Sequence, residues 1–389
     1  MNDKLKIMII AGEASGDVHA AKLVRALRAS SPATDFEFFG SAGVLMREAG
    51  VEPVVHADEL AIMGLPEIAK ALPMFLVMFR DLKKTALDRK PDAVILVDFP
   101  EFNLKVAKAL KRKGLKVICY ISPQLWGWRK YRRRTIRDHV DLLLTILPFE
   151  KDWYARHGIT NVEYVGSPLA NEVRPSVSKE DFCRKHSLDP SRQIIALLPG
   201  SRHKEIMRIL PPMLETAAIM SKSDEKLQFV IALASVRNTN EVELAKIRAE
   251  RSGLSMPKTL VLVHDETYDV LNASDAAAVA SGTATLETGI IGTPLAIVYK
   301  TSNFNYKLIR PLITVEHFGL INLIAAERIV KEMIQDDFTP QNLADELLRI
   351  LESDVNAGMR KKLKEAAEKL GHGGASKRAA EAILKLMNR

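Results

Sequence analysis

The sequence predicts an α/β protein with two domains, each built on a parallel sheet that helices cover. The chain has 389 residues, a length that suits two domains better than one. Short apolar runs bounded by Gly, Pro or Asp alternate with amphipathic stretches long enough for helices. The alternation is interrupted near residue 172, where Gly166, Pro168 and Pro175 fall close together. Since strands that alternate with helices form parallel sheets, the two series predict two Rossmann-like domains in tandem.

Eleven apolar runs are predicted to be strands, six before the interruption and five after it. The first series comprises residues 7–10, 36–39, 93–97, 116–121, 142–147 and 162–165, and the second comprises 194–198, 228–233, 260–263, 276–279 and 295–299. After Asp336 the chain turns into charged helical segments with no strand between them. We therefore predict domains at 1–172 and 173–336, followed by helices at 337–389 that pack across a domain edge.

The composition is that of a globular protein, and its net charge suits an anionic partner. The chain is 47% apolar and 27% charged, and 56 basic against 48 acidic residues give a net charge of +8. Such an excess suits a nucleotide, a nucleic acid or an anionic membrane surface, although a solvated surface explains it equally well. The two cysteines, Cys119 and Cys183, are too few for a disulfide framework.

Several sequence signals are missing. No uncharged run reaches the ~18 residues of a membrane-spanning helix, and the apolar N-terminal stretch, which ends at Gly12, is too short for a signal peptide. We therefore expect a cytoplasmic chain. The H-E-x-x-H motif, the Walker lysine loop and an Asp-x-Asp pair are also missing, so the sequence indicates neither a metal nor a cofactor.

The first predicted strand leads into an acidic turn within the sequence KIMIIAGEASGDVHA. Gly12, Ser15 and Gly16 are typical of a loop that binds phosphate at a helix N-terminus. Glu13 and Asp17, however, would repel a pyrophosphate, and the glycine spacing is not that of a dinucleotide site. The sequence therefore predicts that this loop holds a ligand other than a diphosphate.

Two loops in the second domain have the composition of anion sites. Gly200, Ser201 and Arg202 follow a strand and precede a helix, so the backbone can approach phosphate and the guanidinium can donate to it. The alternative is a surface turn with an exposed arginine. The second loop carries Ser281, Gly282 and Thr283, and Glu287 follows one helical turn later. Because ligands bind at the carboxyl ends of parallel strands, the two loops together suit a nucleotide, with Glu287 placed for ribose hydroxyls.

In the first domain, Asp98 ends a continuously apolar strand and is followed by Pro100, Glu101 and Asn103. A partly desolvated carboxylate at this position can act as a general base. A helix cap is an equally good interpretation, because Asp often occupies that position. The residues alone leave both roles open.

Two segments of the first domain suggest a membrane or nucleic-acid surface. Trp126, Trp128 and Tyr131 are interleaved with six basic residues between 129 and 137, a pattern that suits stacked bases, anionic headgroups or a solvated helix face. A second segment has apolar residues at helical spacing, interrupted by Pro73 and flanked by basic residues. Most such stripes belong to a core, but this composition also suits a helix that dips into one leaflet. The stripe comprises Leu65, Ile68, Leu72, Phe75, Leu76 and Phe79.

Several motifs together resemble the lipid-A-disaccharide synthase family. The matching segments run in order from about Ile10 to about Lys331 and read AGEASGD, DELAIMG, VDFPEFN, YISPQLWGWR, LPFEKDWY, LLPGSR, ASGTATLE and INLI. The resemblance implies a glycosyltransferase B fold whose two domains face each other across a cleft. It departs from the family at Ser167, where many members carry a histidine, so any role of that histidine is in doubt here.

The resemblance also implies an activity and its partners. The implied reaction transfers 2,3-diacylglucosamine from UDP to 2,3-diacylglucosamine 1-phosphate with inversion, which forms a β-1,6 disaccharide 1-phosphate and UDP without a metal. The implied location is the cytoplasmic face of the inner membrane, where anionic lipids are present, and a homodimer is one option for the oligomeric state. The competing hypotheses are a UDP-sugar enzyme with soluble substrates, such as a 2-epimerase, and a nucleic-acid-binding protein. We expect no nucleic acid as a partner.

The resemblance assigns roles to individual residues. Asp98 matches the candidate base, Arg202 matches an essential arginine, and Asn322 matches a nucleotide-site asparagine. The acidic N-terminal loop then faces the acceptor, and Glu13 remains an alternative base. Further acceptor contacts are expected from Ser15, Asp17 and Asn103.

Overall fold

A computed structural model describes residues 4–57, 68–233, 239–251, 253–310 and 315–387. The chain forms two compact units, of which the first contains the chain up to Pro168 and again from His372, and the second contains Leu169–Gly371. The first division lies close to the expected boundary at residue 172. Within the predicted terminal segment 337–389, residues up to Gly371 belong to the second unit and the remainder belongs to the first.

The described residues contain thirteen strands. They are β1 (Leu5–Ile10), β2 (Phe36–Ala42), β3 (Val51–His56), β4 (Ala93–Val97), β5 (Val117–Tyr120), β6 (Leu142–Thr145), β7 (Val162–Tyr164), β8 (Ile194–Leu198), β9 (Gln228–Leu233), β10 (Leu260–His264), β11 (Ala276–Ala280), β12 (Leu295–Tyr299) and β13 (Glu332–Ile334). All eleven predicted strands are present. The strands β3 and β13 were not predicted.

The helices follow the strands in the alternation expected of α/β units. They are α1 (Ala14–Ser30), α2 (Val44–Glu48), α3 (Ile68–Arg89), α4 (Pro100–Lys111), α5 (Arg133–His139), α6 (Glu150–Ala155), α7 (Leu169–Glu172), α8 (Lys179–Lys185), α9 (His203–Ser223), α10 (Asn240–Arg251), α11 (Thr267–Ala273), α12 (Thr283–Ile291), α13 (Asn303–Ile309), α14 (Leu320–Ala325), α15 (Pro340–Leu351), α16 (Ser353–Glu368) and α17 (Ala375–Leu386).

The first unit is a seven-stranded parallel sheet in the order β3-β2-β1-β4-β5-β6-β7. Its central strands are fully buried because helices cover both faces, and β4 is buried along its whole length. The last helix, α17, packs against α1 on one of these faces. The strand order reverses between β1 and β4, so the helices that follow these two strands, α1 and α4, pack on opposite faces of the sheet.

The second unit is a six-stranded parallel sheet in the order β10-β9-β8-β11-β12-β13. Its reversal point lies between β8 and β11, which pair in parallel with Leu198 opposite Val279. Open α/β sheets bind ligands at such reversal points, beyond the carboxyl ends of the strands. In both units, the loops singled out from the sequence follow the two strands that flank the reversal.

Candidate active site

The second unit has a cavity of about 350 Å³ at its reversal point. The loops that follow β8 and β11 form its walls, and a residue of α11 also contributes. All of the predicted nucleotide-binding residues except Asn322 line it, together with residues that the sequence analysis did not single out. The lining consists of Leu198, Gly200, Ser201, Arg202, Glu205, Ala232, Thr267, Ala280, Ser281, Gly282, Thr283, Ala284 and Glu287. The structure therefore brings the two predicted anion loops into one site.

Two helices begin at this cavity. The 21-residue helix α9 starts immediately after Arg202, and the nine-residue helix α12 starts immediately after Gly282. The N-terminal N–H groups and the dipole of each helix favour a negatively charged ligand. Gly200 adopts φ +111°, and a Cβ at this position would lie 2.9 Å from the Glu205 carboxylate. Glycine is therefore required where the first loop turns into α9.

The Arg202 guanidinium is exposed but oriented. Its Nη1 donates to Glu205 Oε1 at 3.0 Å, and the backbone N–H of Arg202 donates to Glu205 Oε2 at 3.3 Å. Glu205 lies one turn into α9, and its carboxylate caps the start of the helix by accepting the backbone N–H of Arg202. Because an arginine has five N–H donors, this contact leaves donors for a second anion. The sequence analysis missed Glu205, although its spacing from Arg202 is that of a helix cap.

Glu287 lies half-buried on the other side of the cavity. Burial raises the pKa of its carboxyl group, and the hydroxyl of Tyr268 donates to Glu287 Oε1 at 3.4 Å. Burial, followed by the charge of Glu287, raises the pKa of Tyr268 to about 12. The phenol therefore stays protonated at neutral pH. Tyr268 was not predicted, because only the fold places it beside Glu287.

Asn322 is not among the residues that line the cavity, which corrects its prediction as a nucleotide contact. Its side chain is buried, and both amide hydrogens are used, one on the Val330 carbonyl and one on Glu332 Oε1, each at 2.9 Å. Glu332 also accepts the backbone N–H groups of Phe318 and Gly319 at 2.9 Å. The carbonyl of Phe318 in turn accepts the Ser281 hydroxyl at 3.2 Å. Through Glu332 and the backbone of Phe318, Asn322 thus helps to position Ser281, which lines the cavity.

In the first unit, the loops after β1 and β4 pack together. A Cβ at Gly12 would lie 2.2 Å from the ring of Phe99, so only glycine lets this ring cover the β1 loop. Glu13 and Ser15 are exposed, and Glu13 is the residue immediately before α1. The structure therefore places both residues at the same sheet edge as Asp98.

Asp98 occupies a strained turn between β4 and α4. Asp98 and Phe99 have φ values of +49° and +54°, and two consecutive left-handed residues other than glycine are costly. Burial raises the pKa of the Asp98 carboxyl group, while a hydrogen bond from the Phe99 N–H and the charge of His19 partly offset this increase. The raised pKa is what a general base needs in order to accept a proton near neutral pH.

Asn103 supports this turn and lines the same small pocket as Asp98. It is buried, and its Nδ2 donates to the Asp98 carbonyl at 2.5 Å and to the Val97 carbonyl at 3.3 Å. Its Oδ1 is buried with no hydrogen-bond partner among the described residues. The structure gives Asn103 a positioning role beneath Asp98, and the acceptor contact stays a prediction.

Asp17 is also structural. Its carboxylate is buried and accepts the backbone N–H groups of Gly43, Leu45 and Met46 at 2.9–3.1 Å. These groups belong to the start of α2, so Asp17 caps that helix from a distant part of the chain. The expectation that Asp17 binds a sugar hydroxyl is replaced by this capping role.

The aromatic and basic segment is divided between core and surface. Trp126 is buried, and its Nε1 donates to the buried Glu150 at 3.0 Å, so it is not available to stack on a base. Trp128 and Tyr131 are 42% and 66% exposed. Pro123 of the same loop lines a small pocket that also contains Asp98. The buried tryptophan therefore anchors a loop that reaches the candidate base.

The predicted membrane stripe is likewise divided. Leu65 and the side chains of Ile68 and Leu72 lie outside the described residues. Phe75 and Phe79 pack against Phe102, with ring centroids 6.2 and 6.3 Å apart, and contribute to the core. Leu76 is 62% exposed and the neighbouring Val77 is 47% exposed. The expectation that the whole stripe faces a membrane is therefore wrong for the two phenylalanines.

Two further features concern metals and membranes. Within the ranges that the structure describes, no three His, Cys, Asp or Glu side chains lie close enough to hold a metal ion. In the same ranges, no helix has both the length and the apolar character needed to cross a bilayer.

Comparisons with known proteins identify the family. The model of the family described as Lipid-A-disaccharide synthetase matches residues 7–386. The Lipid-A-disaccharide synthase of Trichlorobacter lovleyi is 41% identical over 383 residues, covering 98% of this chain and 97% of the relative. That of Myxococcus xanthus is 42% identical over 388 residues, covering 100% and 99%.

Solved structures show the fold class. A putative UDP-N-acetylglucosamine 2-epimerase from Listeria monocytogenes superposes with a TM-score of 0.65 at 16% identity, covering 99% of this chain and 97% of that one. A glycosyltransferase from Rickettsia africae gives a TM-score of 0.59 at 13% identity, covering 100% and 99%. At such identities the likeness concerns the fold alone, which is the glycosyltransferase B type with two parallel-sheet α/β units. By its full-length match, the chain belongs to the Lipid-A-disaccharide synthetase family.

Proposed function

We propose that this protein is the glycosyltransferase that forms the lipid A disaccharide. It transfers 2,3-diacylglucosamine from UDP to the 6-hydroxyl of 2,3-diacylglucosamine 1-phosphate, giving the β-1,6-linked disaccharide 1-phosphate and UDP. The observation that carries this proposal is the match of the whole chain to one family of that activity. The two anion loops that meet in one cavity supply the chemistry that a UDP-sugar needs.

The second unit holds the donor in this proposal. The diphosphate binds the backbone N–H groups at the starts of α9 and α12, with the hydroxyls of Ser201, Ser281 and Thr283 beside it. Arg202 neutralises the charge that grows on the diphosphate as the bond to the sugar breaks. Glu287 accepts hydrogen bonds from the ribose hydroxyls, since its half-buried carboxylate lines the same cavity.

The first unit holds the acceptor. Asp98 removes the proton of the 6-hydroxyl as that oxygen attacks the anomeric carbon, and a single displacement inverts this carbon. The support for this role is the strained turn that presents Asp98 and the burial that raises its pKa. Glu13 and Ser15 orient the sugar hydroxyls from the β1 loop.

We also propose that the protein works at the cytoplasmic face of the inner membrane. Both substrates carry acyl chains, and the exposed Leu76 and Val77 on α3 offer an apolar surface beside them. The net charge of +8 suits anionic headgroups. In this proposal, the exposed pair enters the leaflet while Phe75 and Phe79 hold α3 on the domain core.

The decisive experiment supplies both acyl sugars in detergent and measures the products. Purified protein is expected to form disaccharide 1-phosphate and UDP in equal amounts, and the Arg202→Ala protein is expected to form little of either. Incubation with UDP-N-acetylglucosamine tests the competing epimerase, which shares the fold but needs no acyl acceptor. Inversion at C2 of that sugar without disaccharide synthesis would contradict the proposal.

A further inference from the structure

A cluster of opposite charges is built on Glu101, three residues after the candidate base, and has no part in the chemistry above. Arg129 donates through Nη1 to one carboxylate oxygen of Glu101, and Arg132 donates through Nη2 to the other. Two guanidinium groups on one carboxylate leave a net positive charge. Lys105, one helical turn after Glu101, adds to it, and the three cations together lower the pKa of Glu101. The carboxylate therefore stays ionised and the cluster stays cationic.

The chain ties this cluster to the turn that presents Asp98. Glu101 is the second residue of α4, which begins at Pro100 immediately after the Asp98 turn. Because three residues of fully extended chain span no more than about 11 Å, the Cα atoms of Asp98 and Glu101 are at most that far apart. The backbone thus links Glu101, which holds both arginines, to the turn that presents the candidate base.

The two arginines are held in place without a ligand. The guanidinium of Arg129 lies 4.1 Å from the ring of Trp128, and that of Arg132 lies 5.9 Å from the ring of Tyr131. Arg129 itself has φ +54°, an uncommon conformation for a residue with a side chain. The side chains are 34% and 16% exposed. Such partly buried, pre-oriented guanidinium groups match the planar, forked recognition of phosphate oxygens.

We propose that Arg129 and Arg132 bind the 1-phosphate of the acceptor sugar and thereby select a phosphorylated acceptor. The inference rests on the proposed function, because it places that acceptor on the first unit. The acceptor carries its attacking 6-hydroxyl and its 1-phosphate at opposite ends of one sugar ring. Asp98 takes the hydroxyl end and the arginines take the phosphate end. Glu101 orients both guanidinium groups and leaves N–H donors on each for the phosphate oxygens.

The same cations could instead contact the phosphates of membrane lipids. The position of Glu101 in the helix that follows the Asp98 turn favours the acceptor, because a headgroup of the bilayer has no need of a position fixed to that turn. The clamping of both guanidinium groups by Glu101 also favours one oriented phosphate over a diffuse layer of headgroups. The experiment below separates the two sources of phosphate.

The test measures the preference for a phosphorylated acceptor. The variants are Arg129→Gln, Arg132→Gln and the double variant, with Arg137→Gln as a control because that exposed arginine pairs with its neighbour Asp138. Binding of 2,3-diacylglucosamine with and without its 1-phosphate is measured by equilibrium dialysis in detergent, and kcat/KM is measured for both. The wild-type protein is expected to prefer the phosphorylated form by about 10–100-fold, the effect of charge-assisted hydrogen bonds. The double variant is expected to lose this preference, with the KM for the UDP-sugar unchanged.

Each outcome has a defined meaning. Equal binding of both acceptors by the wild-type protein, or an unchanged preference in the double variant, would overturn the inference. An equal loss of binding for both acceptors would mean that the arginines only support the fold, which would overturn the inference. If the double variant has a lowered melting temperature, the single variants and an Arg132→Lys protein are compared instead. Reduced binding to vesicles that contain phosphatidylglycerol, with the acceptor preference intact, would assign the cluster to the bilayer and refute the proposal. A wild-type protein that prefers the phosphorylated acceptor but makes no disaccharide would refute the proposed function and leave this inference standing.

Discussion

The side-chain amide of Asn103 donates a 2.5 Å hydrogen bond to the main-chain carbonyl of Asp98. The contact joins the first turns of α4 to the left-handed turn that ends β4, and it holds two residues in a conformation that the backbone alone disfavours. The carboxyl group of Asp98 stays clear of this bond, because the bond uses its carbonyl. The sequence VDFPEFN therefore contains both the candidate base and its support.

If Asp98 is the base, Asp98→Asn removes basicity while it preserves the shape of the side chain. Turnover is expected to fall by on the order of 10²–10⁴, with the affinity for the UDP-sugar unchanged. Steady-state kinetics at saturating acceptor measure the loss. Glu13→Gln is the matched comparison, and it is expected to raise the KM for the acceptor more than it lowers kcat. Normal turnover in Asp98→Asn together with an inactive Glu13→Gln would exchange the two roles.

The raised pKa of Asp98 also has consequences for pH dependence. The base works only when ionised, so kcat/KM is expected to rise with pH and to level off above a pKa that lies higher than that of an ordinary aspartate. Because its pKa is raised on folding, the Asp98 carboxyl group holds its proton more tightly in the folded protein than in the unfolded chain. The folded protein therefore loses stability as the pH rises past the pKa of the unfolded state. Asp98→Asn is therefore expected to raise the melting temperature at neutral pH and to leave it unchanged near pH 3. A lower melting temperature at neutral pH would contradict the desolvation of Asp98.

Arg202→Ala tests the anion loop of the second unit. Removal of one charge-stabilising donor is expected to lower kcat by on the order of 10²–10³, because the guanidinium acts on charge that appears as UDP leaves. Arg192 provides a control, since it is also paired with a carboxylate three residues away in the same unit. Near-normal kcat in a folded Arg202→Ala protein, or an equal loss in Arg192→Ala, would remove Arg202 from the mechanism.

The sequence predicted most of the fold because parallel strands buried on both faces are continuous apolar runs. The strand β3 was missed because it contains Pro53 and lies half-exposed at an edge of its sheet. The strand β13 was missed because its three residues lie in a charged stretch, after Lys331 and before Asp336. Glycine and hydroxyl residues at strand ends indicated the two loops that line the cavity of the second unit, since local sequence determines such loops.

The side-chain partners could not be predicted in the same way. Asp17 caps a helix that begins 27 residues later, and Trp126 bonds to Glu150, which is 24 residues away. A carboxylate looks the same in the sequence whether it binds a ligand or the backbone of a distant helix. Burial makes the distinction, and burial depends on the packing of the whole unit.

The capping role of Asp17 can be tested through stability. Asp17→Ala leaves three backbone N–H groups at the start of α2 without their acceptor and is expected to cost about 1–3 kcal/mol. The melting temperature is expected to fall by several degrees, while the KM for the acceptor stays unchanged in the folded protein. Ser15→Ala changes an exposed residue of the same loop and is expected to leave the melting temperature unchanged. A raised acceptor KM with normal stability in Asp17→Ala would restore the sugar-binding role.

The last prediction separates the membrane surface from the core on one helix. Leu76 and Val77 are exposed, so Leu76→Gln/Val77→Gln is expected to leave the melting temperature unchanged and to reduce binding to vesicles by on the order of 10-fold. Phe75→Ser/Phe79→Ser instead puts polar groups where rings pack on Phe102, so it is expected to cost roughly 1–3 kcal/mol at each site and to lower the melting temperature.

Leu87 controls for exposure alone, because it lies on the same helix and is 37% exposed. If the leaflet contacts Leu76 and Val77 in particular, Leu87→Gln has little effect on vesicle sedimentation. An equal loss of vesicle binding in Leu87→Gln would mean that the pair is not a specific membrane contact. A collapsed melting temperature in Leu76→Gln/Val77→Gln would instead place these two side chains in the core, together with the phenylalanines.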